Sequence, residues 1–166
     1  EPLARDPFNR SVYLSDGGVY DNLGLETAWK RYQTILVSDA GLGMAPDPEP
    51  ATDWAMHVKR VLDMVDNQVR ALRKRQVVGA FVAGLRKGAY WSVRSSIADY
   101  AVAGALPCPP ERTADLALIE TRLADMKDDT QERLINWGYA ITDAALRKWV
   151  DPALPAPAKF PYARGV

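Results

Sequence analysis

Residues 12–26 read VYLSDGGVYDNLGLE, and the fold turns on how this stretch is parsed. The apolar run Val12-Tyr13-Leu14 predicts a short strand. An acid, Asp16, follows, then Gly17 and Gly18, then the polar pair Asp21-Asn22 at the head of a helix over Leu23 to Tyr32. In that helix Leu25, Ala28, Trp29 and Tyr32 recur at helical spacing, with Asp21 or Asn22 as the cap. Thr34 to Val37, TILV, predicts a second strand apolar enough to be buried on both faces. A strand, helix, strand order makes the two strands parallel neighbours. The glycines after Asp16 let its backbone approach another segment without a Cβ clash, and strand ends of an open α/β sheet are where ligands and catalytic groups collect. The competing parse is a hairpin, with Asp16-Gly17 as a type I′ turn and Val19-Tyr20 opening the return strand.

The whole string SDGGVYDNLGLE tips the balance, because it resembles the region around the catalytic aspartate of patatin-like phospholipases. Those are lipid acyl hydrolases with an α/β fold and a Ser-Asp dyad. The family aspartate sits in D-G-G or D-G-A, which Asp16-Gly17-Gly18 matches residue for residue. Val19 and Asn22 fit the continuation, whereas Gly24 stands where proline is common and Leu23 where a second Asn is often found. The later segments DNQVRALRKRQ, GAYWSVR and QERLINWGYAITDAAL are similar to the carboxyl-terminal part of bacterial members. The resemblance implies Asp16 as the general base that activates a serine, with Gly17, Gly18 and Asn22 shaping the turn around it. It implies lipid esters as substrate, and no cofactor or metal.

The family's nucleophile lies in G-x-S-x-G, and none of Ser11, Ser15, Ser38, Ser92, Ser95 and Ser96 is flanked by glycine at both two-residue offsets. The reading is therefore a carboxyl-terminal portion of a longer enzyme, a single domain over residues 1–166 with a partial sheet and a helix-rich α/β fold. Alone, it is expected to carry half a dyad and no hydrolase activity.

Composition narrows the alternatives. The 21 basic and 21 acidic side chains cancel, so global charge gives no reason to expect a nucleic-acid partner. A single cysteine, Cys108, excludes a disulfide framework and a multi-cysteine metal site, and its Leu-Pro-Cys-Pro-Pro setting suits a bystander thiol. No apolar run approaches the roughly 20 residues needed to span a bilayer, and Glu1 to Arg10 is too polar for a signal peptide. The expected location is the cytoplasm or a membrane surface.

Further along, Ser38-Asp39-Ala40-Gly41-Leu42-Gly43 ends the second strand. It lacks the third glycine of a dinucleotide fingerprint, and Asp39 reads as a turn acid that orders loops rather than a proton carrier. After a proline-spaced loop over Ala45 to Ala51, Thr52 or Asp53 caps a long helix. Trp54, Val58, Val61, Leu62, Val65, Val69 and Leu72 form its apolar stripe. Its end carries Arg70, Arg73, Lys74 and Arg75, the densest basic cluster, which reads as a solvated helix end or as a contact with anionic headgroups. The apolar run over 77–85 beside it is compatible with a buried continuation of the helix. His57, the lone histidine, reads as an ordinary helical residue.

Ala89 to Ile97 alternates as a half-exposed edge strand, antiparallel or nearly so, with Tyr90 and Trp91 able to line an acyl pocket. Two helices follow the connector at Leu106 to Pro110. The first holds Leu116, Ile119, Leu123 and Met126. The second starts near Asp128 or Asp129 and shows Leu134, Gly138, Ile141, Ala145 and Trp149 on one face, with Gly138 marking close helix packing. A proline-rich tail closes the chain. The rivals to a hydrolase are a noncatalytic lipid-surface or partner-binding module built on the basic helix end and, more weakly, a nucleic-acid module on Arg70 to Arg75.

Overall fold

The computed structural model describes residues 4–41, 43–120 and 124–166. Among them, five α-helices and a two-stranded parallel sheet form a helix-rich α/β fold. The order is α1 (Gly18–Asp21), α2 (Leu25–Arg31), β1 (Thr34–Asp39), α3 (Trp54–Val82), β2 (Lys87–Ser92), a 3-10 turn (Ile97–Tyr100), α4 (Pro110–Leu116) and α5 (Asp128–Trp149).

The expected strand at Val12 to Leu14 does not form. The segment has no regular structure, and Tyr13 and Leu14 are 94% and 90% exposed. Three apolar residues make a strand only when a ladder satisfies their amides, and β1 takes its partner elsewhere. That partner is β2, in parallel register from Thr34↔Lys87 to Asp39↔Ser92. The expected antiparallel strand over Ala89 to Ile97 is thereby corrected. The 29-residue α3 carries the chain back to the start of the sheet, so the next strand runs the same way. The strand stops at Ser92, where the Ser95 N–H donates to the Ser92 carbonyl at 2.9 Å. Gly88 allows the pairing: its φ is +139°, and a Cβ there would lie 1.8 Å from the Ile35 carbonyl oxygen.

Each face of the sheet carries its own core. Ile35 and Val37 pack with Leu25 of α2 and Val77 of α3. Ala89 and Trp91 point the other way and pack with Tyr100 and with Trp137, Ile141 and Ala144 of α5. β1 is not buried on both faces as expected, because Leu36, across from Ala89, is half exposed.

Helix α3 begins as expected, with Asp53 accepting from the Met56 N–H at 2.9 Å. It continues to Val82 and buries Val77 and Ala80. The apolar stripe read from its sequence is not part of the core: every residue of it is exposed, Trp54 at its start at 78% and Leu72 at its end at 51%. The core contacts of this helix come from Val77, Ala80 and Phe81, on another side and nearer its end.

Helix α4 stops at Leu116 rather than reaching Met126, although Ile119 still packs on the α5 core. Leu123 lies outside the described residues. Helix α5 starts at Asp128 as expected but turns Trp137, Ala140, Ile141 and Ala144 inward, so Trp149 is exposed and no backbone approaches Gly138. Two buried polar side chains fasten loops to α5. Arg147 grips Asp143 and donates to the Ala103 carbonyl at 2.6 Å. Asn136 donates to the Tyr162 and Gly165 carbonyls and accepts from the Tyr162 N–H, which ties down the proline-rich tail. Among the described residues no helix is long and apolar enough to cross a membrane.

Candidate active site

Asp16 sits at the head of α1, where its carbonyl accepts from the Val19 N–H at 3.1 Å and its Oδ1 accepts from the Gly18 N–H at 2.7 Å. One carboxylate oxygen is thus fixed by the backbone, and the residue as a whole is exposed. The two glycines contribute differently from expectation. Gly17 has an ordinary helical φ of −61° and open space where a Cβ would go, so neither positive φ nor close approach requires it. At Gly18 a Cβ would meet Asp16 Oδ1 and Asn22 Oδ1, each at 3.0 Å. The missing side chain lets the carboxylate and the Asn22 amide oxygen converge on one backbone position. The hairpin parse is excluded, because Gly18 to Asp21 is helical.

Asp21 closes the turn behind this arrangement, accepting from the Glu26 N–H at 2.7 Å to cap α2, while Gly24 takes the left-handed φ of 61°. Its other oxygen, Oδ1, is buried and accepts no hydrogen bond. On α2, Glu26 gathers Lys30, Tyr20 and the Arg73 guanidinium, the last at 3.6 Å. Lys30 first and then Tyr20 hold the Glu26 carboxyl below its ordinary value, and the bond to Glu26 raises the Tyr20 phenol. This cluster ties α1, α2 and α3 together beside the Asp16 turn. Nothing in the sequence pattern singled out Glu26, although its spacing from Lys30 is that of a helical ion pair.

The second acid, Asp39, ends β1 and is buried. Its Oδ2 accepts from the Tyr90 hydroxyl at 2.6 Å, its Oδ1 from the Gly41 N–H at 2.9 Å, and its carbonyl from the Val93 N–H at 3.0 Å. Arg70 lies against the same loop, where a Cβ at Gly41 would be 1.9 Å from its guanidinium. Burial, and then the bond to Asp39, push the Tyr90 phenol far up, so it stays a neutral donor. The Lys74 ammonium lies over the Tyr90 ring at 4.9 Å. These bonds leave Asp39 engaged in holding the two strand ends together, the loop-ordering role read from the sequence. No hydrogen bond or ion pair among the described residues joins Asp16 to Asp39.

Much of the basic cluster has internal work. Arg70 braces the Gly41 loop, Arg73 pairs with Glu26 and Lys74 covers Tyr90. Trp91 is a core residue, whereas Tyr90 borders a cleft of about 780 Å³ at the opposite, amino-terminal end of the strands. Val78, Phe81, Val82 and Trp149 form much of its wall and Arg86 and Lys87 its polar side; Asp16 does not border it. His57 is exposed on the first turn of α3, at a separate cleft beside Asp47 and Pro50. Cys108 is buried, and burial pushes its thiol up to about 11, which suits an inert thiol. Among the described residues no group of three His, Cys, Asp or Glu side chains could hold a metal ion.

Compared with known proteins, the chain matches no protein-family profile, no curated protein and no solved structure.

Proposed function

We propose that this chain supplies the aspartate of a Ser-Asp dyad in a patatin-like lipid acyl hydrolase. The observation that carries the reading is the Asp16 turn. A D-G-G motif presents an exposed carboxylate at a helix head, one oxygen held by the Gly18 amide, with Gly18 bare enough for Asn22 to close on it.

In this reading Asp16 takes the proton of a serine as it attacks the ester carbonyl and returns it to the leaving alcohol. The bond from the Gly18 N–H fixes the direction from which Asp16 Oδ2 approaches the serine. Gly17, Gly18 and Asn22 keep the approach open, Asp39 and Tyr90 hold the neighbouring strand ends, and no cofactor or metal takes part. The serine comes from outside these 166 residues, since none of the six serines here has the G-x-S-x-G setting. The chain alone is therefore inactive.

The test is covalent labelling of the complete gene product with a fluorophosphonate, which reacts only with an activated serine. Labelling is expected in the parent and lost in Asp16→Asn; equal labelling of both would sink the dyad assignment. A second reading, a noncatalytic lipid-surface or partner-binding module, draws on the exposed stripe of α3. It gains if the complete product binds vesicles and takes no label.

A further inference from the structure

The cleft at the amino-terminal end of the strands lies apart from the Asp16 turn and has no part in the dyad. Its volume, about 780 Å³, falls in the range of small-molecule sites. Val78, Phe81 and Val82 reach it from the last turns of α3, Trp149 and Val150 from the end of α5, and Tyr90 from β2. Val82 and Trp149 are 85% and 61% exposed, so this apolar wall faces solvent. The Tyr90 hydroxyl is bound to Asp39, which leaves the ring as its contribution to the wall.

The polar side of the cleft is cationic. Arg86 and Lys87 border it, and no Asp or Glu does. Neutral groups alone hold Arg86 in place: Nη1 donates to Gln33 Oε1 at 2.9 Å, Nη2 donates to the Trp29 carbonyl at 3.4 Å, and the guanidinium lies over the Trp29 ring at 5.0 Å. Its charge is therefore fixed in position without being compensated. The Lys87 ammonium makes no hydrogen bond or ion pair among the described residues. A third cation, Lys148, stands over the Trp149 ring at 5.6 Å on the α5 side. Unlike Arg73, which pairs with Glu26, or Lys59, which pairs with Asp63, these cations meet no carboxylate.

Charge and shape select the ligand. Uncompensated cations beside an aliphatic and aromatic wall fit a molecule with one anionic head and an apolar tail. A cationic or zwitterionic head finds no acid in the cleft to meet it. An extended peptide added to β2 is disfavoured because the edge of that strand is occupied. The Tyr100 hydroxyl donates to the Tyr90 carbonyl at 3.4 Å, and Ser95 binds both the N–H and the carbonyl of Ser92, each at 2.9 Å.

We infer that the cleft between the ends of α3 and α5 binds a long-chain fatty acid, its carboxylate at Lys87 and Arg86 and its acyl chain against Val78, Val82 and Trp149. The inference deepens the proposed function, resting on it for the source of the ligand, since acyl hydrolysis of a lipid releases a fatty acid. The site itself rests on the cleft alone.

The test is isothermal titration calorimetry of the complete gene product with octanoate, decanoate and dodecanoate below their micelle concentrations. One site is expected, with affinity rising about fourfold for each added methylene. Decyltrimethylammonium, of opposite charge, should bind at least about tenfold more weakly than decanoate. Lys87→Glu and Val82→Glu, each changed at an exposed position, should weaken decanoate about tenfold or more. Their circular dichroism and their turnover of a soluble short-chain ester should stay as in the parent. Asp16→Asn should bind decanoate like the parent, which separates this cleft from an acyl site at the dyad. Equal decanoate binding by the parent and both Glu variants would overturn the inference. So would equal affinity for decyltrimethylammonium, affinity independent of chain length, or no binding at all. A parent that binds decanoate but hydrolyses no ester would keep the site and refute the dyad; one that hydrolyses ester and binds no decanoate would do the reverse.

Discussion

Replacing Asn136 by alanine should detach the carboxyl-terminal tail from α5. The side chain is fully buried and makes three hydrogen bonds, donating to the Gly165 and Tyr162 carbonyls at 2.7 and 2.9 Å and accepting from the Tyr162 N–H at 2.9 Å. At about 1 kcal/mol net for each bond, the loss begins near 3 kcal/mol. If the tail then lifts, Val166, at 2% exposure, loses its burial, and with that the total reaches about 5 kcal/mol. Urea unfolding of parent and variant, with exchange of the Tyr162 amide followed alongside, measures both parts. The expectation is a destabilisation of about 3–5 kcal/mol with the Tyr162 amide exposed. Asn136→Asp separates the bonds from the volume, since it keeps the acceptor but sets a carboxylate against two carbonyls, and should be at least as damaging at neutral pH. A loss below about 1 kcal/mol with Tyr162 still protected would refute the reasoning.

Two further outcomes follow from buried titrating groups. The Tyr90 phenol is raised in the fold by burial and by Asp39, whereas in the unfolded chain it titrates near 10. Above about pH 10 the unfolded state therefore binds fewer protons, so stability falls as pH rises through that window. In Tyr90→Phe this alkaline slope should shrink, and at neutral pH the variant should lose about 1.5–3 kcal/mol by depriving a buried carboxylate of a donor; an unchanged slope in alkaline denaturation would contradict the assignment. Cys108, with its thiol at about 11, should react with iodoacetamide at pH 8 only slowly until denaturant is added. Rapid alkylation of the native protein would show that the connector opens.

How much was legible differs by element. The capped start of α3, the start of α5 and the strand at Thr34 were readable because caps and periodicity are local signals. The strand at Val12 was not, since a strand exists only through its partner, and TILV pairs instead with a segment more than fifty residues away. For the same reason the direction of β2 was set by the crossover and not by its own alternation. The stripe on α3 was found correctly as a pattern, but periodicity says only that a face is apolar, not what covers it. At the candidate site, Gly18 donates to Asp16 and lies against Asn22. Gly17 shows no such constraint, and the bonds among Asp39, Tyr90 and Gly41 depended on a strand pairing that no local signal carries.

The central claim is that Asp16 is a catalytic base. The most direct measurement is kcat for a short-chain chromogenic ester with the complete gene product, beside Asp16→Asn of unchanged circular dichroism. Loss of the base should lower kcat by about 10²–10⁴-fold with little change in KM. Unchanged turnover in Asp16→Asn would contradict the account and reduce the D-G-G stretch to a helix-capping turn.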